Sequence, residues 1–220
     1  MLEHRLITKK HPQNPIKNVF FKDKIESGVK HTYKTIAMGN SYSGAHLSKD
    51  RVHRYALWRA LKTDDEPRTL LAIGFNPSKA DENTDDATIT RLSKLAKREG
   101  YTRLAMVNLF TYRATNADKL HHTKTLRELN GPEANRILEE ELSQATSVLV
   151  CWGINGNSRR YNNRIQEVFR LIGKRELLCI GKLGSGHPEH PVRTEGTLRL
   201  KPYDGLTEMR ATNQLTRYFK

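Results

Sequence analysis

Cysteine is nearly absent from this sequence: only Cys151 and Cys179 occur among 220 residues. Each stands alone in an apolar, strand-like run, VLVCWG and LLCIG, without CxxC spacing, which argues for buried thiols rather than a disulfide or a metal site. No apolar run approaches the ~18–20 residues that a membrane helix needs. The N-terminal MLEHRLITKKHPQNP lacks the apolar core of a secretory signal. A cytoplasmic protein with no membrane partner is therefore expected. The phosphate-cradling GxxxxGK[ST] loop is missing too, which argues against an NTPase of that class. Internal repeats and low-complexity segments are also missing.

Acidic residues are scarce beside basic ones, 24 against 38, giving a net charge of +14. The excess is uneven. Residues 51–157 carry 16 basic and 14 acidic groups, whereas residues 1–50 carry 9 and 4 and residues 158–201 carry 10 and 4. A polyanion partner, DNA, is the leading explanation, because Lys and Arg gain affinity by releasing phosphate counterions. A basic, well-solvated surface is the alternative.

Residues 1–50 scatter their apolar positions among turn formers such as GNSYSG and read as a basic, irregular or β-containing extension. Residues 51–220 read as one α/β domain, and nothing in the pattern demands more than a monomer. RYALWRAL (54–61) is expected as an edge strand. Four short apolar runs, TLLAIGF (69–75), RLAMVNLF (103–110), SVLVCWG (147–153) and ELLCIG (176–181), predict buried strands. Between them lie three helical patterns. Residues 86–100 put Ile89, Leu92, Leu95 and Ala96 on one face and stop at Gly100. Residues 131–145 open near Pro132, and residues 161–173 group Ile165, Val168, Phe169 and Ile172. Strand–helix alternation implies parallel crossovers, hence a three-layer sandwich with a mostly parallel sheet of about four core strands. The tail from Gly196 predicts a further edge strand and a closing helix.

In an open parallel sheet, ligands bind beyond the carboxyl ends of the strands. The segments there are NPSKADENTDD, NLFTYRAT, GINGNSRR and KLGSGHPEHPVR. Asn, Asp, Tyr, Arg, Gly and His thus converge on one rim.

The order of these segments resembles the uracil-DNA glycosylase superfamily across roughly residues 68–205. GFNPS (74–78) is similar to its first motif, in the Gly-x-Asn-Pro form of the mismatch-directed branch. VNLF is similar to the strand end whose Asn reads an extruded base, VLVCWG to an apolar strand ending in Trp-Gly, and HPEHPV to the second, His-Pro motif. The series Asn-Pro-Ser, Asp-Asp-x-Thr, Asn-Leu-Phe and His-Pro also resembles an uncharacterised prokaryotic and phage family.

The resemblance implies a monofunctional DNA glycosylase working without metal or organic cofactor. Base loss passes through an oxocarbenium-like state, so water must be held, sugar charge stabilised and an anionic base accepted. Asn76 would orient the water. Asp85 and Asp86 are candidates to polarise it or to face the sugar cation, although either is equally placed to cap the helix opening at Ala87. Asn108 suits a base edge, or else satisfies backbone groups at a turn. His190, with His187 as its competitor, would donate to the leaving base. Phe75, Pro77, Ser78, Phe110 and Tyr112 are candidates to line the base, though strand-end aromatics also serve the core. Arg113, Arg159, Arg160, Arg164 and Arg193 are candidates for phosphate contacts. Val192 or Arg193 would enter the base stack.

The departures bear on substrate. The uracil-specific branch has an Asp and a bulky Tyr in its first motif, where this chain has GFNPSKA, and the second motif continues VRTEG without Ser-Pro. The expected substrate is a mismatched or modified base, a substituted pyrimidine or a phage-type modified base, rather than plain uracil. A non-cleaving reader of modified nucleic acid and a hydrolase of free nucleotides are the alternatives.

Overall fold

The computed structural model describes residues 19–26, 29–38, 41–61, 66–116 and 124–205. Its centre is four parallel strands, β5 (Thr69–Gly74), β6 (Arg103–Asn108), β7 (Ser147–Val150) and β8 (Leu177–Cys179), in the spatial order β6-β5-β7-β8. These are the four apolar runs. Apolar residues at successive positions bury both faces of a strand, and β5 is buried at all six positions.

The two faces are served by different helices. Leu70, Ala72, Leu104, Met106 and Leu149 point toward Ile89, Leu92 and Leu95 of α1 (Ala87–Arg98). Leu71, Ile73, Val107, Val148 and Val150 pack instead with Ile137 and Leu142 of α3 (Ala134–Gln144) and with Ile165 and Phe169 of α4 (Asn162–Ile172). The short helix α2 (Leu126–Leu129) opens with a capping box, Thr125 and Glu128 satisfying each other's backbone N–H groups. Helices thus cover both faces, as the strand–helix alternation predicts.

The sheet is larger and more mixed than four mostly parallel strands. Beside β6 lies β4 (Arg54–Ala60), antiparallel, then β3 (Ser41–Leu47), and on the far side β9 (Lys201–Pro202) pairs antiparallel with β8. These make a mixed seven-strand sheet. β2 (Val29–Met38) and β1 (Val19–Glu26) extend it antiparallel beyond β3. β4 is therefore interior, not the expected edge, because the segment before residue 51 supplies its outer partner. The predicted terminal edge strand is β9; the predicted closing helix lies outside the described residues. Cys151 and Cys179 are buried free thiols, and burial pushes Cys151 up to about 12.

The topology also fixes where a ligand can enter. β5 leads to α1 on one face, while its neighbours β6 and β7 lead to elements on the other. The connections diverge at the carboxyl ends of β5, β6 and β7, which opens a crevice there.

Because Ile73 has no exposed surface between the two helix layers, Ile73→Ala should lower the unfolding free energy by ~2–5 kcal/mol and Ile73→Val by only ~0.5–1.5 kcal/mol. Urea unfolding of both variants checks this.

Candidate functional site

The crevice is a cleft of about 1300 Å³. Its walls begin where β5 ends. The space beyond Gly74 is already taken, since a Cβ there would lie 2.5 Å from Met106 Cε and 2.7 Å from Asn108 Nδ2. Phe75 then turns inward, meeting Phe110 and Tyr161 edge-on at centroid distances of 5.4 and 5.2 Å. Phe75 lines the cleft from this cluster. Phe110 is fully buried in the core.

Asn76 lines the cleft, and its amide orientation follows from its neighbours. Nδ2 donates to Pro77 O at 3.0 Å and Ala114 O at 2.9 Å. Both acceptors are carbonyls, so the nitrogen must face them and Oδ1 is the atom left for a ligand. Ser78 lines the cleft as well. Pro77 is buried, and its carbonyl binds Ala114 N–H, so it shapes the loop instead.

The two aspartates separate. Asp86 caps α1, accepting from Ile89 N–H at 3.0 Å, and also lines the cleft. Asp85 is exposed and outside the cleft, in an ion pair with Arg59 at 2.7 Å. Charge repulsion and the nearby guanidinium account for the split: one carboxylate takes the helix N–H groups, the other turns to the cation.

Asn108 is buried, and its Oδ1 accepts from Arg54 at 3.1 Å. Arg54 also donates to Ala80 O at 3.0 Å. Burial lowers its pKa to about 10, with Asp86 pulling the other way. It remains a cation at neutral pH, beneath the cleft. Sequence reading missed this residue, because a charged side chain opening a strand reads as solvent-facing and Arg is seldom fully buried.

The His-Pro segment resolves its own ambiguity. His187 is completely buried and accepts from Trp152 Nε1 at 3.1 Å. His190 lines the cleft, its Cβ close against Gly153: a Cβ on that glycine, at φ +74, would lie 2.8 Å away. Gly153 N–H also donates to Pro188 O at 3.0 Å. The Trp-Gly and His-Pro motifs are thus one packed unit. Val192 N–H donates to His190 Nδ1 at 3.3 Å, so the neutral ring carries its proton on Nε2. Burial lowers the pKa of His190, opposed by Asp86.

Of the five arginines, only Arg193 lines the cleft, from an exposed position. Arg113 donates to the carbonyls of Ser78, Arg51 and Lys79. Arg164 is buried, bound to Leu109 O at 2.6 Å, to Asn135 and to Glu167. Arg160 donates to Lys124 O. Arg159 is exposed away from the cleft. Carbonyls at loop ends and helix termini need donors, and a guanidinium supplies several. Tyr112 also stands outside, against His53 and under Lys124.

Val192, a candidate for the base stack along with Arg193, lines the cleft too, as do Glu189 of the same HPEHPV segment and Ile154 of GINGNSRR. Glu189 accepts from Thr194 Oγ1 at 2.9 Å. Ile154, 59% exposed, and Val192, 44% exposed, are large apolar groups on two different loops of the same cleft.

The family model described as "Protein of unknown function (DUF1643)" matches residues 54–192, from the buried arginine to the rim of the cleft. No curated protein and no solved structure matches the chain.

Asp86→Ala should cost ~1 kcal/mol of stability, whereas Asp86→Ser should restore most of it by keeping an acceptor at the cap while removing the cleft charge. Urea melts of the pair separate the two roles. His190 gives a pH test. Its folded pKa lies below the ordinary 6.5, so the unfolded chain binds the proton first and stability falls as pH drops below about 6.5. His190→Asn should flatten that part of the difference in stability between pH 7 and 5.

Proposed function

We propose, from the premise that this chain belongs to the DUF1643 family of proteins of unknown function, that it is a DNA glycosylase acting on an extruded, modified or mismatched base. The observation that carries the reading is convergence. Asn76, Asn108, the Trp152-Gly153 turn and His190, drawn from four separate segments, share one cleft at the carboxyl ends of parallel strands. Its volume exceeds the ~300–1,000 Å³ of ordinary small-molecule pockets, room for a flipped nucleotide with its flanking backbone. The resemblance of the four motifs to the uracil-DNA glycosylase superfamily supports the same reading, and with it a glycosylase-like fold.

In this mechanism the bond between C1′ and the base nitrogen breaks with its electron pair leaving on the base. The sugar becomes oxocarbenium-like, and water adds at C1′ and gives up a proton, which the departed base anion takes up, leaving an abasic sugar and the neutral base. Oδ1 of Asn76 accepts a hydrogen bond from that water. The Asp86 carboxylate stabilises the sugar cation. Asn108 Nδ2 and His190 Nε2–H donate to the base as negative charge grows on it. Arg193 and the remaining basic surface hold the phosphates.

A second reading, a non-cleaving reader of modified bases, is favoured by one observation: the cleft's candidate water-holding groups each have part of their hydrogen-bonding capacity engaged. Asp86 caps a helix, Glu189 holds Thr194, and Asn76 spends both N–H bonds on the backbone.

Single-turnover incubation with DNA containing uracil, mismatched thymine, or hydroxymethylated or glucosylated cytosine, followed by alkaline cleavage, tests the two. Abasic product from a substituted pyrimidine is expected. Salt-sensitive binding without product on any of these DNAs supports the reader instead. Asn76→Ala should slow base release roughly 10²-fold or more while retaining most DNA affinity, and unchanged turnover would remove Asn76 from the mechanism.

A further inference from the structure

We propose that Arg54 determines the specificity of the cleft, setting it to read a pyrimidine edge made of hydrogen-bond acceptors, the N3/O2 edge of a cytosine-type base, over the N3–H edge of a uracil-type base. The inference rests on reading the cleft as a nucleobase site.

Arg54 is 2% exposed, and among the described residues no carboxylate stands within ion-pair distance of it. Its two terminal nitrogens donate to Ala80 O and Asn108 Oδ1, and its Nε has no partner. Arginine carries no acceptor. The atom of Asn108 facing it must therefore be the oxygen, and the amide nitrogen must face the other way.

That nitrogen makes no hydrogen bond among the described residues. It lies 2.7 Å from where a side chain on Gly74 would begin, and Gly74 is part of the cleft surface. Asn108 itself lines the cleft, so Nδ2 is reachable from it. A ligand arriving at this point meets two N–H groups backed by a buried cation.

An amide pairs with the lactam edge of uracil by donating to a carbonyl and accepting the base's N3–H. Here the amide oxygen already accepts from a guanidinium, and an approaching N3–H meets that positive charge. The pairing loses one bond and leaves a desolvated donor. Cytosine has no proton on N3, and N3 and O2 both accept. The same positive field favours electron density building on that edge as a base departs.

The test is affinity of the full-length protein for two DNA probes, one carrying 5-hydroxymethylcytosine and one 5-hydroxymethyluracil. Each is attached to 2′-fluoroarabinose, which resists base loss, and sits opposite an abasic analogue, so neither base has a pairing partner. The cytosine-type probe should bind at least about tenfold tighter. Arg54→Met should bring the ratio within about twofold, and Arg54→Lys, which keeps a cationic donor, should retain much of it. If Arg54→Met does not fold, the wild-type ratio and Arg54→Lys decide. Equal affinity, a uracil-type preference, or no binding of either probe overturns the inference. Base release from the cleavable counterparts is a separate question: a cytosine-type preference without release leaves the inference standing and removes the glycosidic chemistry, while release with equal affinity does the reverse.

Discussion

Strand β5 is hydrogen-bonded along both edges and buried on both faces, so its chain can leave the sheet only at its carboxyl end. The site depends on that constraint. The exit runs past Gly74, where no side chain fits between Met106 and Asn108, and then through Phe75 and Asn76 before the chain can reach α1. Asn76 ties this exit to the loop after β6 through Ala114, and Asp86 closes it by capping α1. A strand with a free edge or a solvated face would have had other routes, and the groups of the cleft would not be forced together.

Basic residues here divide their labour in a way that composition conceals. Much of the arginine is internal scaffolding. Arg91 binds Thr194 O and Gly196 O, and Arg98 binds Leu198 O, fastening the segment after His190 onto α1. Arg59, Arg113 and Arg164 hold backbone carbonyls of other loops. A guanidinium with five donors is well suited to loops that offer carbonyls without N–H partners. These guanidiniums keep their charge but have donors committed to the backbone, and Arg193 is the member of the proposed phosphate set that stands at the cleft.

The central fold was legible because its signals are local. Short runs such as TLLAIG, bounded by Pro67 and by NPS, read as doubly buried strands, and Ile89, Leu92 and Leu95 repeat at the helical period. The cleft was legible through one topological rule, which brought Asn76, Asn108 and His190 to the same rim before any geometry was known. Partnerships across the chain were not legible. Asp85 meets Arg59 over 26 positions, and Arg54 meets Asn108 over 54. Nothing in the spacing of HPEHP says which histidine is sealed behind Trp152. β4 read as an edge because its partner β3 comes from a segment without periodic pattern.

Three contacts bind the loops after β7 and β8: the Trp152 indole on His187, Gly153 N–H on Pro188, and Gly153 packed against His190. Gly156 sits close to the same junction, where a Cβ would lie 2.5 Å from Trp152 Cδ1 and 3.2 Å from His187 Nδ1. This half of the cleft is one stiff jaw. The opposite half is joined differently, by hydrogen bonds between loops: Ala114 N–H to Pro77 O, Asn76 Nδ2 to Ala114 O and the Arg113 guanidinium to Ser78 O. Mutation can widen or narrow the mouth there while the histidine side keeps its shape, so tolerance for bulk and the placement of the proton donor are free to diverge separately over evolutionary time.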